Sequence, residues 1–170
     1  MKKFLTFSNF MVLLGIMTIF FYFIPAVKIA PHDYAQNAIN VNLFQATFGG
    51  PFSIHYLLVT KAYHLNACGG LIVGFILGLV GILLTCAKMK VKIANLFALP
   101  FYTAAGVLVI CTAALVRNAN ANNGIPNYFS YTILGGAITV GVFFFILAFL
   151  ALVDFIATVA KPKQQQPSAY

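Results

Sequence analysis

The chain reads as four long uncharged apolar runs separated by short polar or charged stretches. They lie between Lys3 and Lys28, between Lys61 and Lys88 (the apolar part at 67–87), between Lys92 and Arg117, and from about Tyr128 to Val159, the last interrupted by Asp154 alone. A helix rises about 1.5 Å per residue, so about 20 residues cross a hydrocarbon core of about 30 Å. All four runs reach that length. The pattern predicts an all-α integral membrane protein, a four-transmembrane-helix bundle forming one domain over 1–160, with spans at about 8–27, 67–87, 93–116 and 130–159. The first run follows Met1, Lys2 and Lys3 and imitates a signal peptide, but it exceeds a typical h-region and is read as an uncleaved first span.

Between the spans, the segment 28–66 is a long extracytoplasmic loop. Its 39–43 stretch, Ile-Asn-Val-Asn-Leu, alternates apolar and polar residues in a strand-like way. Gly49, Gly50 and Pro51 form a strong break, after which 52–66 is expected to be helical and to lie on the membrane face or extend the second span. The second outer loop holds Asn118, Asn120, Asn122 and Asn123 before Gly124, and the Gln- and Pro-rich tail 161–170 reads as a disordered cytoplasmic segment. Pro100 is expected to kink the third span.

Composition strengthens the membrane reading. Hydrophobic residues make up 62% of the chain and charged ones 7%, against about 25% charged in soluble domains. The net charge of +8 does not indicate nucleic acid, because the cations sit in clusters between apolar runs and form no continuous basic face. They read as topology signals. With four spans, Lys2, Lys3, Lys88, Lys90, Lys92, Lys161 and Lys163 share one side, and Lys28, Lys61 and Arg117 the other. The richer side is cytoplasmic, so both termini face the cytoplasm and the membrane is expected to be the cell (plasma) membrane.

Small residues mark packing faces. Gly70, Gly74 and Gly78 recur every four residues, with Gly81 nearby, so they form a groove on the second span that admits a neighbouring helix. Gly135 and Gly141 play the same part on the fourth, where Phe143, Phe144, Phe145 and Phe149 supply bulk.

Candidate chemistry is sparse. Asp154 is the one acidic residue in any span, and an intramembrane charge is a functional candidate by default. Its position near a helix end equally suits an ion pair with Lys2, Lys3, Lys161 or the short inner loop. His32, Asp33, His55 and His64 are all outside, but on one helix His55 and His64 would fall about 180° apart, which disfavours a metal site. Cys68, Cys86 and Cys111 are dispersed and read as small apolar core residues, not a disulfide. Lys28, Lys61 and Arg117 mark an outer rim suited to lipid or partner contact. With two acidic residues in the chain, acid–base catalysis has few candidates. No catalytic residue, metal or cofactor is assigned.

A long first outer loop and a shorter second one resemble the claudin-like tetraspan layout, in topology only. That family's Trp-based motif and first-loop cysteine pair are absent, since the chain has no Trp and no cysteine before Cys68. Tetraspanins match less well, their large cysteine-bearing loop being the second. The resemblance therefore implies neither fold detail nor function. The expected role is a non-catalytic accessory or scaffold subunit packing in the bilayer against other integral membrane proteins or itself. The alternative is a small oligomeric transporter or channel, for which Thr18, Asn95, Thr103, Thr112, Thr139 and Asp154 would have to line the path.

Overall fold

The computed structural model describes residues 7–32, 37–55, 59–87, 94–121 and 129–160. Lys2, Lys3, Asp33, Lys88, Lys90, Lys92, Asn122, Asn123, Gly124 and the 161–170 tail lie outside them.

Helix α1 (Phe7–Phe20) is apolar apart from Ser8, Asn9 and Thr18 and tightens into a single 3-10 turn, Phe21–Phe23. It stops there because Ile24 precedes Pro25, and the proline ring pushes its predecessor out of the helical region; Ile24 is extended, at φ −79° and ψ 144°. The chain continues as strand β1 (Pro25–Pro31), then β2 (Ile39–Asn42), which pairs back on it antiparallel. Asn42 caps the short helix α2 (Leu43–Phe48), its side-chain oxygen accepting the Gln45 backbone N–H at 2.7 Å. Gly49 ends α2 at φ +79°, where an added methyl would also lie 2.5 Å from the Leu65 carbonyl oxygen, so only glycine fits. A hairpin of β3 (Gly50–His55) and β4 (Thr60–Leu65) follows. Helix α3 (Gly69–Ala87), helix α4 (Ala94–Ile110), helix α5 (Thr112–Ala119), strand β5 (Phe129–Ile133) and helix α6 (Gly135–Val159) complete the order.

This is a mixed α/β fold, which corrects the expected all-α bundle. Strand β5 pairs antiparallel with β1 from Val27–Ile133 to Pro31–Phe129, making a three-stranded sheet in the order β2-β1-β5. Residues 25–27 and 130–133 had counted as ends of the first and fourth spans; they are strand instead, because their backbone groups find partners about 100 residues away. The 52–66 segment is a hairpin and not a helix. Phe-Ser-Ile-His at 52–55 alternates buried and exposed, the period of a strand.

The count of spans changes too. By length and composition, α3 and α6 can each cross a membrane, and α4 with α5 can form a third span if that bent pair is taken together. The pair bends by 67°, at Cys111 between the two helices, while Pro100 stays inside a continuous α4. With its 3-10 turn, α1 is a shorter apolar helix, Phe7–Phe23.

The sheet caps one end of the helices. The end of α1 leads into β1, β4 leads into α3, and β5 leads into α6. Within the sheet Val27, Ile29 and Val41 are buried, while Lys28, Asn40 and Thr132, direct neighbours across the three strands, are exposed. One continuous core joins the buried cap residues to Met11, Leu71, Tyr102, Phe144 and Leu147 of the helices.

Candidate functional site

Three places gather the residues able to do something beyond filling space: the glycine contacts between helices, two buried polar pairs, and a cleft at the C-terminal end of α5.

Four glycines of α3 face inward, while Gly69 at its start is exposed with nothing within 4 Å. A methyl group would lie 3.1 Å from Leu115 at Gly70, 3.1 Å from Leu108 at Gly74, 2.6 Å from the Phe144 ring at Gly78 and 2.7 Å from the Tyr102 ring at Gly81. Their occupants are α4, α5 and α6 of the same chain, so this groove is filled internally. At Gly141 an added methyl would lie 2.5 Å from Ile110, and at Gly106 one would lie 3.2 Å from the Gly141 carbonyl oxygen. That is a close small-residue crossing of α4 and α6. Gly135 meets nothing within 4 Å, whereas at Gly136 a methyl would come within 2.2 Å of the Pro25 carbonyl oxygen. Gly136 is where the sheet seats on α6.

Asp154, on α6, is buried at 9% exposure. Asn95, near the start of α4, is fully buried and donates its amide N–H to Asp154 Oδ2 at 2.5 Å, with Met11 Sδ of α1 4.0 Å from the same amide nitrogen. The Asn95 side-chain oxygen has no hydrogen-bond partner among the described residues. The pair ties α4 to α6 and brings in α1. Lys2, Lys3, Lys161 and the lysines of the short inner loop, the partners the sequence offered for Asp154, lie outside the described residues, and Asn95 was counted only among scattered pore candidates. The second pair joins α3 to α4: the Thr85 and Tyr102 hydroxyls lie 2.9 Å apart, and Thr85 also bonds the Gly81 carbonyl at 3.0 Å. Thr18, Thr47, Thr103 and Thr158 bond carbonyls one turn back on their own helices. The hydroxyl of Thr112 bonds the Val109 carbonyl.

At the capped end, Asn66 ties the start of α3 to the end of α5. Its backbone N–H donates to Asn120 Oδ1 at 3.0 Å and its amide to the Ala119 carbonyl at 3.1 Å. Beside this clamp a cleft of about 460 Å³ is lined by Ala113, Ala114, Arg117, Asn118 and Tyr131. The Tyr131 hydroxyl is shielded from solvent and has no hydrogen-bond partner among the described residues. Burial pushes the Tyr131 phenol above its ordinary value, and the Arg117 charge opposes part of that rise. Lys28 is exposed on the outward face of the sheet and Lys61 on the hairpin, so the three outer cations occupy three separate elements.

His55 and His64 sit on the two strands of the hairpin but not opposite each other: His55 pairs with Thr60, its Nδ1 lying 2.8 Å from the Thr60 hydroxyl, and His64 pairs with Pro51. No group of three metal-ligating side chains occurs among the described residues. Cys68 is buried, Cys86 and Cys111 are exposed, and all three are free thiols.

Comparisons with protein-family models, with curated proteins and with solved structures find no match for this chain. The likeness to the claudin-like layout therefore brings no fold or activity with it.

Proposed function

We propose that the protein is a non-catalytic accessory or scaffold subunit of a larger membrane assembly, anchored by its helices and docking through its sheet cap. The observation that carries this reading is the Asn40–Lys28–Thr132 row: an exposed, polar line across three paired strands, opposite the buried Val27, Ile29 and Val41. The chain has two acidic residues against ten Lys and Arg, so a cap of this kind suits a partner with an acidic extracytoplasmic surface. The inward-turned polar pairs support the same reading, since groups committed to one another hold helices together.

The arrangement also supports an orientation. Lys28, Lys61 and Arg117 lie at the capped end, and the seven lysines at 2, 3, 88, 90, 92, 161 and 163 belong to segments leading to the opposite helix ends. The positive-inside rule then favours the cap outside the cell membrane and the C terminus, after the α6 span, in the cytoplasm. Aromatic rings mark the border between cap and helices: Phe23 stacks on Phe44, Phe44 meets Phe48, Phe48 meets Phe75, and Phe75 meets Tyr22, with centroids 4.7–5.6 Å apart. Phe23, Phe44 and Phe48 are exposed there, as befits an interfacial belt.

Purification in mild detergent tests the role. Stoichiometric co-purification with another membrane protein, lost in Lys28→Glu, is the expected result. A lone monomer that conducts solute across liposomes, with flux abolished by Asp154→Asn, would replace this reading with transport. Orientation is read separately: with Cys111→Ser, a membrane-impermeant maleimide should label Cys86 only after permeabilisation, and Thr132→Cys in intact cells.

A further inference from the structure

The cleft between α5 and β5 has the chemistry of an anion site with an apolar flank. Arg117 stands in the last turn of α5, where its guanidinium offers paired N–H donors that match two oxygens of a phosphate. Asn118 adds an amide, and Tyr131 on the opposite wall carries a hydroxyl without a partner among the described residues. A phenol held above its ordinary pKa keeps its proton and serves as a donor. The chain's two acidic residues are Asp33, outside the described residues, and Asp154, near the opposite end of α6, so neither wall of the cleft carries a carboxylate.

The cleft exists because of the bend. The 67° turn at Cys111 takes α5 off the α4 axis, and the step is floored by two small residues, Ala113 and Ala114. Below it, Ile110 packs on Gly141 yet stays exposed, and Ile138 and Val142 of α6 are exposed on either side of that glycine. A polar, cationic cleft above an exposed aliphatic strip is the shape of a lipid: a headgroup above, acyl chains below.

We infer that this cleft binds the phosphate of a glycerophospholipid in the outer leaflet, with Arg117 as the principal contact, Asn118 and Tyr131 as supporting donors, and the chains laid along Ile110, Ile138 and Val142. Free phosphate offers the same oxygens but leaves the strip uncovered. The inference does not need the subunit role proposed above, but its leaflet rests on the orientation proposed there.

Native mass spectrometry of the full chain in mild detergent, titrated with dioleoylphosphatidylglycerol, tests it. Arg117→Ala should weaken retention of the lipid by about tenfold and Arg117→Lys by less, because lysine keeps the charge but loses the paired donors. Tyr131→Phe should weaken it about threefold, the scale of one neutral hydrogen bond, and Lys28→Ala, away from the cleft, should leave it unchanged. Dioleoylglycerol, with the same chains and no phosphate, should not be retained, and millimolar inorganic phosphate should not displace the phospholipid. Unfolding midpoints of the variants establish that each is folded. Equal retention by Arg117→Ala, retention of dioleoylglycerol, or full displacement by inorganic phosphate would each overturn the assignment.

Discussion

The helical body and the sheet cap solve the same problem by opposite means. In the body each helix satisfies its own backbone, so neighbours are free to approach as closely as side chains permit, and glycine sets that distance: Gly74, Gly78 and Gly81 on α3, Gly106 against Gly141 between α4 and α6. In the cap the backbone is satisfied only between strands, β1 with its near neighbour β2 and with the distant β5, and β3 with β4. Contacts in the body are therefore a matter of shape. The cap depends on register, and its polar outer row exists only while Lys28 stays opposite Asn40 and Thr132. Gly136 is the tightest place where the two systems touch among the described glycines.

The strongest way to break the relation between them is Gly136→Ala. The new methyl meets a backbone oxygen that cannot rotate away, in a strand already fixed by the Leu134 N–H to Ala26 carbonyl bond of 2.8 Å. A cost of about 3 kcal/mol is expected, the upper end for overpacking, seen as loss of monodisperse protein in detergent and a lower unfolding midpoint in SDS titration. Next comes Asn95→Ala, which removes the amide from a buried carboxylate and should cost about 2 kcal/mol. In a double-mutant cycle with Asp154→Ala the pair should show about 1 kcal/mol of coupling. Additive losses would mean that the two residues act separately. Within the cap, Tyr63 stacks on Phe52 at 5.4 Å and meets Phe129 edge-on at 5.3 Å, linking the hairpin to β5. Tyr63→Ala should cost about 1 kcal/mol of ring contact and raise hydrogen exchange in β3 and β4 while α6 stays protected.

The apolar helices were legible in the sequence because their exposed and buried residues are equally hydrophobic, and length alone marks them. The same property hid their ends. Residues 130–133 continue the hydropathy of α6, yet Ser130 and Thr132 alternate with Phe129, Tyr131 and Ile133, a strand signal that a sliding average erases. Of the cap, only the alternation at 39–42 was readable. The hairpin was lost to the wrong period, since His55 and His64 were placed on a helical wheel when they lie on two strands. The basic rim was visible as single residues; the cleft at Arg117 was not, because it depends on the bend at Cys111 and on Tyr131 arriving from β5. The partnership of Asn95 with Asp154 needed the helices' relative depth.

Gly135 and Gly78 separate packing from propensity within the helical body. Spacing marks both as small residues on a helix face. A methyl at Gly78 would press the buried Phe144 ring at 2.6 Å, so Gly78→Ala is expected to cost about 1 kcal/mol of overpacking net of the helix propensity it gains. Gly135 opens α6 with nothing within 4 Å and no φ in the left-handed region. There alanine removes conformational freedom from the unfolded chain without a clash, so Gly135→Ala should stabilise by about 0.5 kcal/mol. Both are read as shifts in the SDS unfolding midpoint. If the two variants shift it in the same direction, glycine on these helices is set by propensity and not by contact, and the distinction between a body shaped by close approach and a cap set by register loses its basis.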